Sequence, residues 1–461
     1  MNFSDIKYAY FLGIGGIGMS AIARYFNKLG VKVAGYDKTE TELTITLANE
    51  GIKVHYQDDP DALLNLISSV EETLVVLTPA IPKGHKEWAW LAHNNYTILK
   101  RSAVLGLITD VYKTIGVAGT HGKTTTSTLI AHLLKQSHVD CSAFLGGISA
   151  NYQSNLLLNQ NKLAIENQWM VVEADEFDRS FLTLHPTTGI ITSTDADHLD
   201  IYGDHKALEA SFLAYAEQVK ETLIIKKELT LATNSFKTSA KVSSYSVKQE
   251  ADYYADNIRI TGDQYFFDLH YGNQVIENLF LGIPGLHNVE NAVAASAASL
   301  IAGINAEELR HGLQSFKGVK RRFEYILKQD DITFIDDYAH HPEELRAIIS
   351  SVKQMYPLKK LTAVFQPHLY TRTRDFVDGF AECLSLADDV ILMDIYPARE
   401  LPIEGVTSAI IYDKLTCKEK TMCNKKDALE LILSKKPELL LTVGAGDIDQ
   451  LIDPLKVRLA K

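Results

Sequence analysis

The chain has 461 residues, 46% of them hydrophobic and 23% charged, with 27 glycines and only 12 prolines, which excludes a disordered chain and, at about 150 residues per domain, predicts about three domains. Fifty-eight acidic side chains outnumber 46 basic ones. The net charge of -12 excludes the broad basic surface that a nucleic acid or an anionic lipid face requires, and no apolar run approaches the roughly 18 residues of a membrane span.

Taken in chain order, the apolar strand Tyr8 to Leu12 runs into Gly13-Ile14-Gly15-Gly16-Ile17-Gly18 and then the helical pattern Met19 to Leu29. Asp37 follows at the end of the next strand, Val31 to Tyr36. This is the dinucleotide fingerprint in context: Gly13, Gly15, Gly16 and Gly18 let the backbone approach a diphosphate, and the helix start supplies N–H donors. A nicotinamide dinucleotide and a UDP-sugar share that diphosphate, so the loop alone leaves both open.

A second strand, Thr114 to Ala118, leads into Gly119-Thr120-His121-Gly122-Lys123-Thr124-Thr125 and the helix Thr126 to Leu134. Such a loop wraps phosphate in backbone N–H groups, with Lys123 neutralising β/γ charge and Thr124 offering its hydroxyl to Mg²⁺. It departs from the strict spacing, because Val117 stands five residues before Gly122. Two further strands end in carboxylates: Trp169 to Val172 before Glu173-Ala174-Asp175-Glu176, and Thr188 to Ser193 before Asp195-Ala196-Asp197-His198-Leu199-Asp200. Strand ends at the edge of a phosphate cradle are where a divalent cation is expected.

Between about 250 and 282 the pattern alternates around Thr261-Gly262-Asp263, predicting an antiparallel hairpin. Thr333 to Ile335, Leu361 to Phe365, Val390 to Asp394 and Leu439 to Val443 then predict a third, parallel sheet, with a helix over Pro342 to Met355. The expected fold is α/β in three domains: a Rossmann-like 1–108, a P-loop ATPase-type 109–322 with a parallel sheet plus the hairpin, and a Rossmann-like 323–461. Cys141, Cys383, Cys417 and Cys423 form no C-x-x-C pair and read as free thiols. Met1 to Lys7 lacks the basic-then-apolar pattern of a leader, and a cytoplasmic location is expected.

These motifs, together with Leu286-His287-Asn288-Val289-Glu290-Asn291, Arg321-Arg322-Phe323-Glu324, Asp336-Asp337-Tyr338-Ala339-His340-His341-Pro342, Gln366-Pro367-His368 and Thr371-Arg372-Thr373-Arg374, resemble the Mur ligases, ATP-dependent amide-forming enzymes of bacterial cell-wall synthesis. The resemblance covers nearly the whole chain. It implies that Gly13 to Gly18 hold a UDP diphosphate, and that Gly119, Thr120, His121, Gly122, Lys123, Thr124 and Thr125 hold ATP. It further implies Mg²⁺ at Thr124, Glu173 and His198, adenine contacts from His287, Asn288 and Asn291, nucleotide contacts from Arg322 and Asp337, and an amino-acid site at His368 and Arg372. Lys123, His198 and Arg372 are then the catalytic candidates. No residue announces itself as the base for the incoming amine, with His198, His340 and His341 as candidates.

Two departures from the family bear on the substrate. Leu369 stands where many alanine-adding members carry an arginine, and Phe212 stands where sisters that add later residues use a carbamylated lysine. The second favours the branch that joins L-alanine to UDP-N-acetylmuramate. The alternatives are a member joining a preformed tripeptide to the same muramate, a nicotinamide-dependent dehydrogenase, for which Gly122-Lys123-Thr124 has no use, and a non-enzymatic nucleotide-switch or UDP-sugar-binding protein.

Overall fold

A computed structural model describes residues 5–195, 199–229, 237–262, 264–398 and 400–460. Asp263 of the expected turn lies outside these residues, as do Asp197 and His198. The chain separates into two compact units: Met1–Tyr254, His270–Val275 and Asn291–Gly312 form the first, and Ala255–Leu269, Ile276–Glu290 and Leu313–Lys461 the second. Among the described residues no helix is long and apolar enough to cross a membrane.

In the first unit, β1 (Tyr8–Leu12), β2 (Lys32–Tyr36), β3 (Lys53–His55), β4 (Thr73–Leu77) and β5 (Thr97–Lys100) make a parallel sheet in the order β3-β2-β1-β4-β5. The order reverses beside β1, so the crevice at its carboxyl end falls on the first glycine loop. A second sheet contains β6 (Lys113–Ala118), β7 (Ser142–Ser149), β8 (Ser154–Leu157), β9 (Trp169–Glu173), β10 (Thr188–Ile191), β11 (Thr222–Lys226) and β12 (Lys241–Ser246), in the order β12-β11-β10-β6-β9-β7-β8. Its pairs are parallel except β7 with the edge strand β8. One apolar cluster is shared by both sheets. Tyr25 and Phe26, from the helix Ile17–Lys28, belong to the same buried cluster as Phe144, Leu156, Met170 and Val172.

The expected hairpin is formed by β13 (Tyr253–Thr261) and β14 (Gln264–Tyr271), and β15 (Gln274–Leu281) extends it to a three-stranded meander of successive neighbours. The third strand is reached through Gly272-Asn273, a two-residue connection whose glycine has φ +54° and which only antiparallel neighbours can use.

In the second unit, β16 (Glu324–Lys328), β17 (Thr333–Asp337), β18 (Leu361–Phe365), β19 (Asp389–Met393), β20 (Glu419–Cys423) and β21 (Leu439–Val443) run in the order β16-β17-β21-β18-β19-β20. This sheet is parallel as expected, with an antiparallel edge at β16. Both unforeseen strands, β16 and β20, lie at edges, where partly exposed residues replace the fully buried run of a central strand. The helix Pro342–Met355 has its expected bounds because local chemistry fixes both ends. Pro342 opens it, His341 caps it, Glu343 and Glu344 occupy the first turn and Lys353 the last.

Candidate active site

The two glycine loops lie in the first unit. In the first, the N–H groups of Gly13 and Ile14 both donate to Tyr36 O, at 2.9 and 3.0 Å, folding the loop back over β2. Gly15 N–H donates to Asp37 Oδ2 at 2.7 Å. The carboxylate that would hold a ribose in a dehydrogenase is thus engaged with the loop itself. The helix Ile17–Lys28 starts at Gly16 with no side-chain cap, the kind of helix start that can receive an anion. A Cβ on Gly18 would stand 2.8 Å from an Nη of Arg101, whose other Nη donates to Asp175 Oδ2 at 3.2 Å.

The second loop needs its glycines for the backbone path. Gly119 has φ +140° and Gly122 φ +81°, and a Cβ on Gly119 would stand 2.0 Å from Thr192 Oγ1. Thr120 and His121 are tied to the end of β10. Thr120 Oγ1 lies 2.9 Å from Ser193 Oγ, and His121 N–H donates to the same oxygen at 2.7 Å. The helix Lys123–Lys135 begins at Gly122, again without a side-chain cap. Thr124 and Thr125 are buried in its first turn. Asn291 reaches this loop: its Oδ1 accepts from Thr126 Oγ1 at 3.3 Å, and a Cβ on Gly122 would stand 2.7 Å from it.

Lys123 donates to Gly119 O at 2.5 Å and to Glu176 Oε1 at 2.9 Å, and forms an ion pair with Glu176 Oε2 at 2.7 Å. Glu176 is fully buried, and burial pushes its carboxyl up to about 7 against the pull of the Lys123 ammonium. Burial works to lower the Lys123 ammonium, but the carboxylates of Glu176, Glu173 and Asp175 win and raise it, so it stays charged. In the sequence Glu176 is one acid of the run Glu173-Ala174-Asp175-Glu176, with nothing local to set it apart. Its turn is strained, since Asp178 and Arg179 both have φ near +60°, and Tyr202 Oη braces it by donating to Glu176 O at 2.6 Å. Glu173, at the end of β9, lies against Gly146 of β7, where an added Cβ would stand 2.0 Å from Oε2. Among the described residues no group of three or more His, Cys, Asp or Glu side chains is gathered as a cation site; His198 is outside those residues.

In the second unit, His287 and Asn288 open the helix Leu286–Ala302. Burial, aided by the Arg322 guanidinium, lowers His287 to about 4, and Asn288 Nδ2 donates to Pro284 O at 2.6 Å. Asp337 is buried, and burial pushes it up to about 6, opposed by Arg322 and by the N–H groups of Phe323 and Ala339 that donate to it at 2.7 and 2.8 Å. Arg321 and Phe323 sit at φ +60° and +49°, and these bonds hold that turn. Arg322 and Arg321 both stack on Tyr338, at 5.1 and 5.3 Å.

His368 stacks on Tyr396 and meets His340 edge-on, with both ring centroids 5.9 Å away. Leu369 follows at φ +70°, buried, its N–H donating to Tyr396 O at 3.0 Å. Arg372 is buried three residues on, whereas Arg374 forms an exposed pair with Asp375. His341 is committed as a helix cap. Phe212 is a core residue, edge-on to Phe181 at 5.3 Å.

Two phosphate-type loops in one unit, the second backed by a partly buried lysine and a row of carboxylates, define an α/β nucleotide enzyme. Family models match residues 8–113 (Mur ligase family, catalytic domain), 117–299 (Mur ligase middle domain) and 321–446 (Mur ligase, glutamate ligase domain), and the chain belongs to the Mur ligase family. It is 50% identical over 455 residues to UDP-N-acetylmuramate–L-alanine ligase of Phocaeicola vulgatus, covering 98% of each chain. The protein of the same name from Parabacteroides distasonis is 48% identical over 463 residues, covering 100% of this chain and 99% of that one. Among solved structures, UDP-N-acetylmuramate-alanine ligase MurC from Thermotoga maritima superposes with TM-score 0.82 at 28% identity, covering 98% and 99% of the two chains. A murein peptide ligase from Psychrobacter arcticus gives 0.73 at 22% identity over 99% of each chain, a likeness of fold alone.

Proposed function

We propose that this chain joins L-alanine to the carboxylate of UDP-N-acetylmuramate at the expense of ATP. The observation that carries the reading is a partly buried phosphate-cradle lysine, paired with the buried Glu176, in a chain half identical, end to end, to ligases of that name. A carboxylate does not condense with an amine in water. The muramyl carboxylate therefore attacks the γ-phosphorus, the bond to the β-γ bridging oxygen breaks, and ADP leaves an acyl phosphate. The alanine amine then attacks the acyl carbon, loses a proton, and expels phosphate.

Lys123 serves the first step by exchanging Glu176 for the γ-phosphoryl oxygens, where the charge of the transition state accumulates. Gly13, Gly15, Gly16 and Gly18 receive the UDP diphosphate, with the Arg101 guanidinium at the first turn of the same helix. His287, Asn288, Asn291, Arg322 and Asp337 serve the nucleotide, and His368 and Arg372 the amino acid. Thr124 and Glu173 are oxygen donors of the kind Mg²⁺ takes, and they would hold the ion together with His198, which the family resemblance adds. When bound, that ion neutralises phosphate charge. We retain 1–108, 109–322 and 323–461 as the domain division, since each segment carries one sheet, and place the reaction in the cytoplasm, where ATP and UDP-sugars are made.

The test is ADP release with UDP-N-acetylmuramate and single amino acids. L-alanine should be best and glycine several-fold poorer, because one buried methyl contributes only about 0.8 kcal/mol. A preformed tripeptide used in preference to alanine would overturn the reading in favour of the recycling reaction.

A further inference from the structure

The helix Ile17–Lys28, whose N-terminus carries the first glycine loop, is gripped from the second sheet by one side chain. Asn155, on the edge strand β8, is fully buried, and its amide is spent on that helix. Nδ2 donates to Ile17 O at 2.6 Å and to Ser20 Oγ at 3.0 Å, while Oδ1 accepts from Arg24 Nη1 at 2.5 Å. Arg24 is itself buried and held by Glu50, with Nε donating at 2.8 and 3.0 Å and Nη2 at 2.7 Å. Both donors and the acceptor of the amide are therefore committed within two turns of the loop, a fixed geometry that an apolar contact would not impose.

The same β7–β8 hairpin reaches the phosphate edge. Ser149 pairs with Ser154, next to Asn155. On its other side β7 pairs with β9, Phe144 opposite Val172, which sets Gly146 against the Glu173 carboxylate. Tyr25 of the gripped helix packs on Phe144, ring centroids 5.5 Å apart. One rigid hairpin thus holds the diphosphate loop through Asn155 and borders the Glu173 carboxylate through Gly146.

We infer that Asn155 is a positioning residue: through Ile17, Ser20 and Arg24 it fixes the first glycine loop relative to the ATP loop, and so the distance from the UDP substrate's carboxylate to the γ-phosphorus. This rests on the ligase reading above. Asn155 touches no reacting atom. Its effect belongs to turnover rather than to the binding of either nucleotide, because each loop keeps its own N–H donors when the grip is lost.

The experiment uses the full-length protein with Asn155→Ala, measuring kcat for ADP release at saturating substrates, Kd for UDP-N-acetylmuramate and for ADP by calorimetry, and the melting temperature. Since a misplacement of about 1 Å costs on the order of 100-fold in rate, kcat should fall roughly 10- to 100-fold while both Kd values stay within about threefold. Ser20→Ala, which removes one of the two acceptors, and Arg24→Lys, which keeps the charge but loses the fork, should each lower kcat by a smaller factor, about threefold. A wild-type kcat in Asn155→Ala, or a loss confined to UDP-N-acetylmuramate binding, overturns the inference. If Asn155→Ala fails to fold, the two milder variants decide, and unchanged kcat in both refutes it. A wild-type protein that releases no ADP with UDP-N-acetylmuramate and alanine would instead sink the ligase reading on which the inference stands.

Discussion

Gly146→Ala tests the place of Glu173 without touching Glu173. The new methyl carbon would stand 2.0 Å from Oε2, 2.3 Å from Cδ and 2.6 Å from Oε1. Contact becomes ordinary at 3.4 Å, so Oε2 must retreat by about 1.4 Å, a displacement of the size that costs on the order of 100-fold in rate when it misplaces a catalytic group. The obstacle is the far end of a flexible side chain, and rotating Glu173 about one off-rotamer torsion costs only about 1 kcal/mol. The variant should therefore fold, with its melting temperature lowered by a few degrees at most. ADP release followed against Mg²⁺ concentration is the assay. The expected result is a curve displaced to higher Mg²⁺ with a depressed maximum. A variant that melts like the parent and gives the parental curve would refute the assignment of Glu173 as an ion ligand.

Lys123→Ala should leave a folded protein whose turnover is lower by orders of magnitude, since the loop backbone persists while γ-phosphate charge goes uncompensated; near-normal ADP release would contradict it. Arg372→Ala should raise the KM for alanine steeply by leaving a carboxylate without its charged partner, whereas Leu369→Arg should change it modestly. Alanine kinetics untouched by Arg372→Ala would remove that residue from the site. Burial lowers His132 to about 4, so the stability it contributes is complete above its unfolded value near 6.5 and is lost as pH falls through 4, up to about 3 kcal/mol. Denaturant titrations of His132→Asn between those pH values should show a shallower loss than the parent; identical slopes would count against a neutral buried imidazole.

What could be read from the sequence was what is encoded locally. Both glycine loops sit between a strand and a helix within a dozen residues, and the helix Pro342–Met355 announces its ends by proline, acidic first turn and lysine last turn. What escaped was set by distant partners. Asn155 meets Arg24 across 131 positions, and Arg101 meets Asp175 across 74; no periodicity joins such residues. Glu176 was visible only as one acid among several. Its burial, which decides that it and not Asp175 holds Lys123, is a property of packing. Edge strand β20 escaped because its charged and polar residues break up the apolar run that marks a central strand, and β16 because its apolar run is only Tyr325 to Leu327.

With Lys123 in its proposed role at the ATP phosphates, its contact with Glu176 makes nucleotide capture an exchange. The lysine already has an anion at 2.7 Å inside the protein, so an incoming phosphate must offer more charge and more hydrogen bonds than a single carboxylate does. A polyphosphate chain wrapped by the whole loop meets that condition, and a lone phosphate ion, which engages only part of the loop, does not. An internal rival of this kind filters ligands by charge density before any shape is read.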